Sequence, residues 1–194
     1  MITGPAADRL TRTFQERVAL IGERAARRAA AEWLRLASYD EADVALYASR
    51  TAVSMNAVKA AAVRTGTAYY STLGQFRPPS VRVSDVPVVH NPREPFIAYW
   101  NALEGGNPWD AAVQSGTARA EATGRNLATS ASRQAGDVTL RKANQRPEGW
   151  SRNTDGKACE WCRGLTAYVF PTAEAADFGH DRCGCSVAPV IRVE

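Results

Sequence analysis

The chain has 194 residues and a mass of 21.0 kDa, enough for one core-forming domain with a small appendage. Hydrophobic residues make up 45% and charged residues 23%, which excludes wholesale disorder, and no apolar run approaches the ~18 residues of a membrane span. Lys plus Arg number 24 against 20 Asp plus Glu, a net +4 too mild to establish a nucleic-acid partner by itself. Residues 145–194 hold 6 basic and 7 acidic side chains, so the positive excess belongs to residues 1–144. All four cysteines lie between positions 159 and 185, a local cluster rather than the dispersed framework of a secreted disulfide scaffold. The N-terminal segment carries acids and no apolar block, so it does not read as a secretory signal, and the chain reads as cytosolic.

From Ala6 to about Leu36, apolar residues recur at steps of three or four: Leu10, Phe14, Val18, Ile21, Ala25, Ala29, Trp33 and Leu36. That period puts them on one face of a long helix. A second helix is predicted from Glu41 to about Leu73, with the stripe Val44, Tyr47, Thr51, Met55, Val58, Ala62, Thr65 and Tyr69. Asp40 fits its N-cap and Gly74 its stop. The short link between the two favours an antiparallel hairpin.

Residues 75–95 contain Pro78, Pro79, Pro87, Pro92 and Pro95, half of the chain's 10 prolines. Proline fixes φ and removes a donor, so no helix continues here. Val81, Val83, Val86, Val88 and Val89 make the segment an extended arm. Two roles are open to it: adding to a neighbour's surface or sheet edge, or covering the chain's own helices. A short helix follows over Phe96–Leu103. A longer one runs from about Trp109 to Asn144, with a small inner face of Ala112, Gly116, Ala120, Leu127, Ala131 and Val138. Gly116, Gly124 and Gly136 each weaken it, and breaks near Gly124 or Gly136 are expected.

The expected fold is therefore mainly α. Residues 1–146 form a long-helix body carrying the arm at 75–95, and residues 147–194 form a small α+β module resembling a zinc ribbon. Trp150–Arg152, Tyr168–Phe170 and Ser186–Val193 are its β-rich pieces. A unit of this size builds little core alone, which is where a metal staple contributes most.

The module's cysteines carry the sharpest chemical signal. Cys159 and Cys162 have C-x-x-C spacing, and His180, Cys183 and Cys185 follow after a loop. Short-spaced pairs separated by ~15–20 residues suit one tetrahedral zinc, and soft thiolates favour zinc over magnesium or calcium. Five candidates compete for four places: four thiolates, or three thiolates with His180. A thiolate-rich shell is closed, which points to a structural rather than a catalytic ion. Local disulfides and unmodified thiols are the alternatives, although a redox Cys159–Cys162 pair lacks its βαβ setting.

Catalytic constellations are sparse. The deaminase pattern fails, because His90 is followed by Asn91-Pro92 rather than x-Glu. The chain shows no G-x-S-x-G, no P-loop and no G-x-G-x-x-G. His90 is the one histidine outside the cysteine cluster and so the one general-base candidate there. Arg24, Arg27, Arg28 and Arg35 form a basic helix face diluted by Glu23 and Glu32, which reads as solvated with weak phosphate contact at most. Trp150 and Trp161 read as packing residues of the module.

The pattern of Cys159, Trp161, Cys162, Arg163 and Leu165, then Tyr168, then Phe178-Gly179-His180-Asp181, Cys183, Cys185, Val187, Pro189 and Val190 resembles the C-terminal motif of phage minor head proteins of the MuF-like class. It covers about 45 residues, and the helical remainder matches only in general character. Members commonly end the motif C-R-C, whereas this chain has Cys183-Gly184-Cys185. The resemblance implies a structural, head-morphogenesis role near the portal, in contact with portal, scaffold or major capsid protein. It further implies an oligomeric setting within the head, a virion location and synthesis in the bacterial host cytoplasm. Long members carry effector domains after the cysteines, and none is expected here. Some members of the class are capsid maturation proteases. That activity, and zinc-dependent nucleic-acid binding, are the alternatives to an assembly role.

Overall fold

The computed structural model describes residues 5–145, 148–154, 160–171, 173–176 and 186–190. The protein is mainly helical, with a small antiparallel sheet near the C-terminus. Helices α1 (Pro5–Trp33), α2 (Glu41–Gly74), α3 (Glu94–Glu104) and α4 (Trp109–Lys142) make the body. Strands β1 (Gly149–Asn153), β2 (Val169–Phe170) and β3 (Ser186–Val190) form a sheet of order β2-β1-β3, with the short helices α5 (Glu160–Gly164) and α6 (Ala173–Ala176) on its connections.

The periodic stripes are the core. Phe14, Val18, Ala25, Ala29 and Trp33 of α1 are buried, as are Val44, Tyr47, Thr51, Met55, Ala62 and Tyr69 of α2. Asp40 caps α2, accepting from the Asp43 amide at 3.1 Å. The helix runs through Gly74 and ends at Gln75, which takes the left-handed conformation at φ 56°. Thr11 hydrogen-bonds Tyr69 at 2.9 Å, while Trp33 meets Tyr47 at 6.2 Å between ring centroids. Those two contacts at opposite ends make α1 and α2 antiparallel. The Trp33 indole N–H donates to the Val113 carbonyl and Arg125 pairs with Glu23, so α4 runs antiparallel to α1.

α4 is continuous through Gly124 and Gly136, where breaks were expected. Tertiary contact supplies the reason. A Cβ on Gly136 would lie 2.2 Å from the Tyr70 ring, and one on Gly116 would lie 2.1 Å from the Trp33 ring. Gly116 and Gly136 are seats for aromatic rings, while Gly124 lets the α1 backbone at Ala25 and Ala26 approach, where a Cβ would lie 2.7 Å from the Ala26 nitrogen. Packing outweighs their local helix cost of ~1 kcal/mol.

The proline arm covers the chain's own helices. Val81, Val86 and Val88 pack with Ala62 and Val63 of α2 and Ala131, Ala135 and Val138 of α4. The Val88 amide donates to the Gln134 side chain at 3.1 Å. Lys142 closes one end by donating to the Ser80 carbonyl at 2.9 Å and to Asp85 at 2.6 Å. Arg93 closes the other by pairing with Glu41. Deleting Val81–Val89 is therefore expected to destabilise the isolated protein by ~3 kcal/mol or more, from lost burial of Val86 and its neighbours. An unchanged urea midpoint for the deletion would show that the arm is dispensable to the core.

Candidate metal-binding module

The sheet is built around β1. Its alternation points Trp150 and Arg152 to one side, and both are buried. Trp150 pairs with Phe170 and Pro189, and Arg152 with Val187. The sheet does not stand apart from the helices. Trp150, Val187 and Ala176 share one apolar cluster with Phe14, Val18, Tyr69, Tyr70, Leu73 and Leu140. The Tyr70 hydroxyl donates to the Val187 carbonyl at 2.6 Å, fastening β3 to α2.

Cys162 sits on α5 and is fully buried, whereas Trp161 beside it is 54% exposed. Trp150 therefore packs as expected, and Trp161 lies at the surface. The decisive neighbour of Cys162 is Arg152. Arg152 is 1% exposed, and its guanidinium donates to the Ala176 carbonyl at 3.0 Å and to the Cys162 sulfur at 3.6 Å. One side chain thus ties β1, α5 and α6 together. A cationic donor on sulfur suits a thiolate, the form that ligates metal, and donors to ligand atoms orient and tune such sites. On that ground Cys162 is suited to a ligand role.

Cys159, His180, Cys183 and Cys185 lie outside the described residues. Among the described residues, no three His, Cys, Asp or Glu side chains gather as a metal-holding group. Arg152 went unrecognised in the sequence. The one available signal was its two-residue spacing from Trp150, which places an arginine on the apolar face of a strand.

His90 occupies a different setting. It borders a groove of about 260 Å³ between the arm and α2, lined also by Thr51, Met55, Lys59 and Val88. Both ring nitrogens are buried without a hydrogen bond among the described residues, as is the Tyr47 hydroxyl, whose ring stands 6.2 Å away. Burial pushes the imidazole pKa below its ordinary value, partly opposed by the carboxylate of Glu94. Burial likewise raises the Tyr47 hydroxyl.

The folded imidazole therefore binds protons less readily than the unfolded one, so stability falls as pH drops below ~6.5, the ordinary imidazole pKa. Lys59 in the same groove adds to the cost of a second cation there. The expected result is a lower urea midpoint at pH 5 than at pH 7, with the difference reduced in His90→Phe. A slope unchanged in that variant would assign the pH effect elsewhere.

No protein-family model, characterised protein or solved structure matches the chain. Among the described residues, no helix is long and apolar enough to cross a membrane.

Proposed function

We propose that this chain is a structural and assembly protein of a phage head, a minor capsid or head-morphogenesis protein that works near the portal. In this reading one structural zinc per chain holds residues 147–194 as a zinc-ribbon-like unit. Four of Cys159, Cys162, His180, Cys183 and Cys185 are its ligands. The partners are portal, scaffold or major capsid protein, and the protein is carried in the virion.

The observation that carries the reading is the cysteine motif itself, two short-spaced groups in one small segment. The buried Cys162 with its arginine donor supports a ligand role for that sulfur. Bound there, zinc would supply folding free energy by cross-linking α5 to the segment before β3. Arg152 would hold the Cys162 sulfur in place, and Trp150 would anchor the unit on the helices.

A capsid maturation protease is the second reading. It is disfavoured because both nitrogens of His90 are buried without a partner among the described residues, and a general base must reach the proton it takes.

Elemental analysis of the purified full chain is expected to give one zinc per chain. Chelation is expected to make residues 147–194 protease-sensitive while leaving most of the helical circular dichroism. Co-expression with portal and capsid proteins should place the chain in purified particles. Metal-free protein with intact disulfides would refute the zinc site, and particles lacking the chain would refute the assembly role.

A further inference from the structure

Helix α2 packs on α1, α4 and the arm along one side, and its outward side is nearly without charge. Ala45, Leu46, Ser49, Val53 and Ala57 recur there at helical spacing and are exposed, Val53 by 82%. The two edges of this face differ. Along one edge lies an open cleft of about 580 Å³, lined by Arg28, Glu32, Arg35 and Arg50. Along the other, Ala52 and Asn56 border the 260 Å³ groove that the arm closes with Val88 and Val89.

The cleft is a built arrangement of charge. The Glu32 side chain is only 3% exposed, and a single oxygen accepts from Arg28 at 2.9 Å and from Arg35 at 3.0 Å. That buried carboxylate pairs with two half-exposed guanidiniums at the surface, and Arg50 of α2 adds a third. One negative charge against three positive ones leaves the cleft cationic. From Val44 to Ser84 the chain has no Asp or Glu, so α2 brings no carboxylate of its own to oppose Arg50 beyond its first turn.

We propose that the outer face of α2 docks an acidic amphipathic helix of a partner protein. The partner's apolar stripe would lie on Leu46, Val53 and Ala57, and its carboxylates would face Arg28, Arg35 and Arg50. Small side chains allow close helix approach, and an apolar seam with a charged flank is the pattern of helix-in-groove recognition. Charge selects the occupant. A second copy meeting this face with the two α2 helices antiparallel would set the arginine edge against the arginine edge, and a parallel pairing would leave the arginines facing Ala52 and Asn56 without a carboxylate. A nucleic-acid backbone would use the arginines and leave the apolar stripe uncovered. The inference deepens the assembly reading and rests on it for the existence of a partner.

The test uses the full chain and a fluorescent synthetic helix with a Leu/Ala face flanked by glutamates. A matching peptide with lysines in place of the glutamates and a short DNA duplex serve as comparators. The acidic peptide is expected to bind, with affinity falling as salt rises, and the lysine peptide is not. Arg50→Glu and Val53→Asp are each expected to weaken binding by about tenfold or more, with circular dichroism unchanged because both positions are exposed.

No binding, or equal binding of both peptides, overturns the proposal. Duplex DNA lost with Arg50→Glu but not with Val53→Asp overturns it in favour of a phosphate patch. A concentration-dependent dimer in sedimentation, abolished by Val53→Asp, overturns it in favour of self-association. Variants that fail to bind peptide yet enter particles normally would sink the docking face and leave the assembly role standing. Peptide binding by a chain absent from particles would do the reverse.

Discussion

Trp33→Ala is expected to lower the stability of the protein by about 3–5 kcal/mol, the usual cost of deleting a fully buried large aromatic. Trp33 is 0% exposed and lies where α1, α2, α3 and α4 meet. Its ring contacts Tyr39 at 4.7 Å, Phe96 at 4.8 Å, Tyr99 at 6.1 Å and Tyr47 at 6.2 Å between centroids. Its N–H donates to the Val113 carbonyl at 3.2 Å, and its six-membered ring rests on Gly116. Against a total stability of roughly 5–15 kcal/mol, that loss is severe. Gly116→Ala attacks the same contact from the other side, because the new methyl would overlap the indole. The double variant should therefore lose clearly less than the sum of the single losses, since the cavity accepts the methyl. Urea denaturation of the four proteins measures this. Strict additivity, or a Trp33→Ala loss below ~1 kcal/mol, would show that this junction does not organise the core.

Arg152→Met is expected to destabilise the C-terminal module by about 3 kcal/mol while sparing the long helices. Methionine keeps much of the volume and removes the guanidinium. The Ala176 carbonyl and the Cys162 sulfur then lose a charged donor in a buried site. Limited proteolysis should show cleavage within residues 147–194 first, with most helical circular dichroism retained. If Cys162 ligates zinc, the same variant should also release metal more readily, as loss of an orienting group does at other metal sites. A module as resistant as the parent would mean that Arg152 fills space without organising it.

Much of the body was legible because helix formation and burial share one period. Phe14, Val18, Ala25, Ala29 and Trp33 mark the inner face of α1 in the sequence, and the same residues are buried in the fold. The small inner stripe of α4 was legible in the same way. Its continuity was not, because glycine propensity is a local cost and the benefit at Gly136 comes from the Tyr70 ring on another helix. The arm was legible as a break between helices, since Pro78, Pro79, Pro87 and Pro92 cannot continue one. Its 3-10 turn at Val83–Asp85 and the start of α3 at Glu94, with Pro95 in the first turn, were not. Which surface its valines cover was not, because an extended segment without alternation carries no record of its partner.

The cysteine module divides along the same line. Spacing marks Cys159, Cys162, His180, Cys183 and Cys185 as candidate ligands of one ion, because a small ion takes ligands from tight turns, and of the five only Cys162 falls among the described residues. Nothing local marks Arg152 as the residue that grips Cys162. Its partners lie 10 and 24 positions away, and only the pairing of β1 with its neighbours brings them together. The sequence by itself determined the helices and the break at the arm, since each is a short-range pattern of periodicity or backbone restriction. Tertiary structure alone decided the glycine seats, the covering of α2 and α4 by the arm, and the burial of an arginine beside a sulfur. Each of those depends on contacts between segments distant in the chain, whose free energy no local pattern encodes.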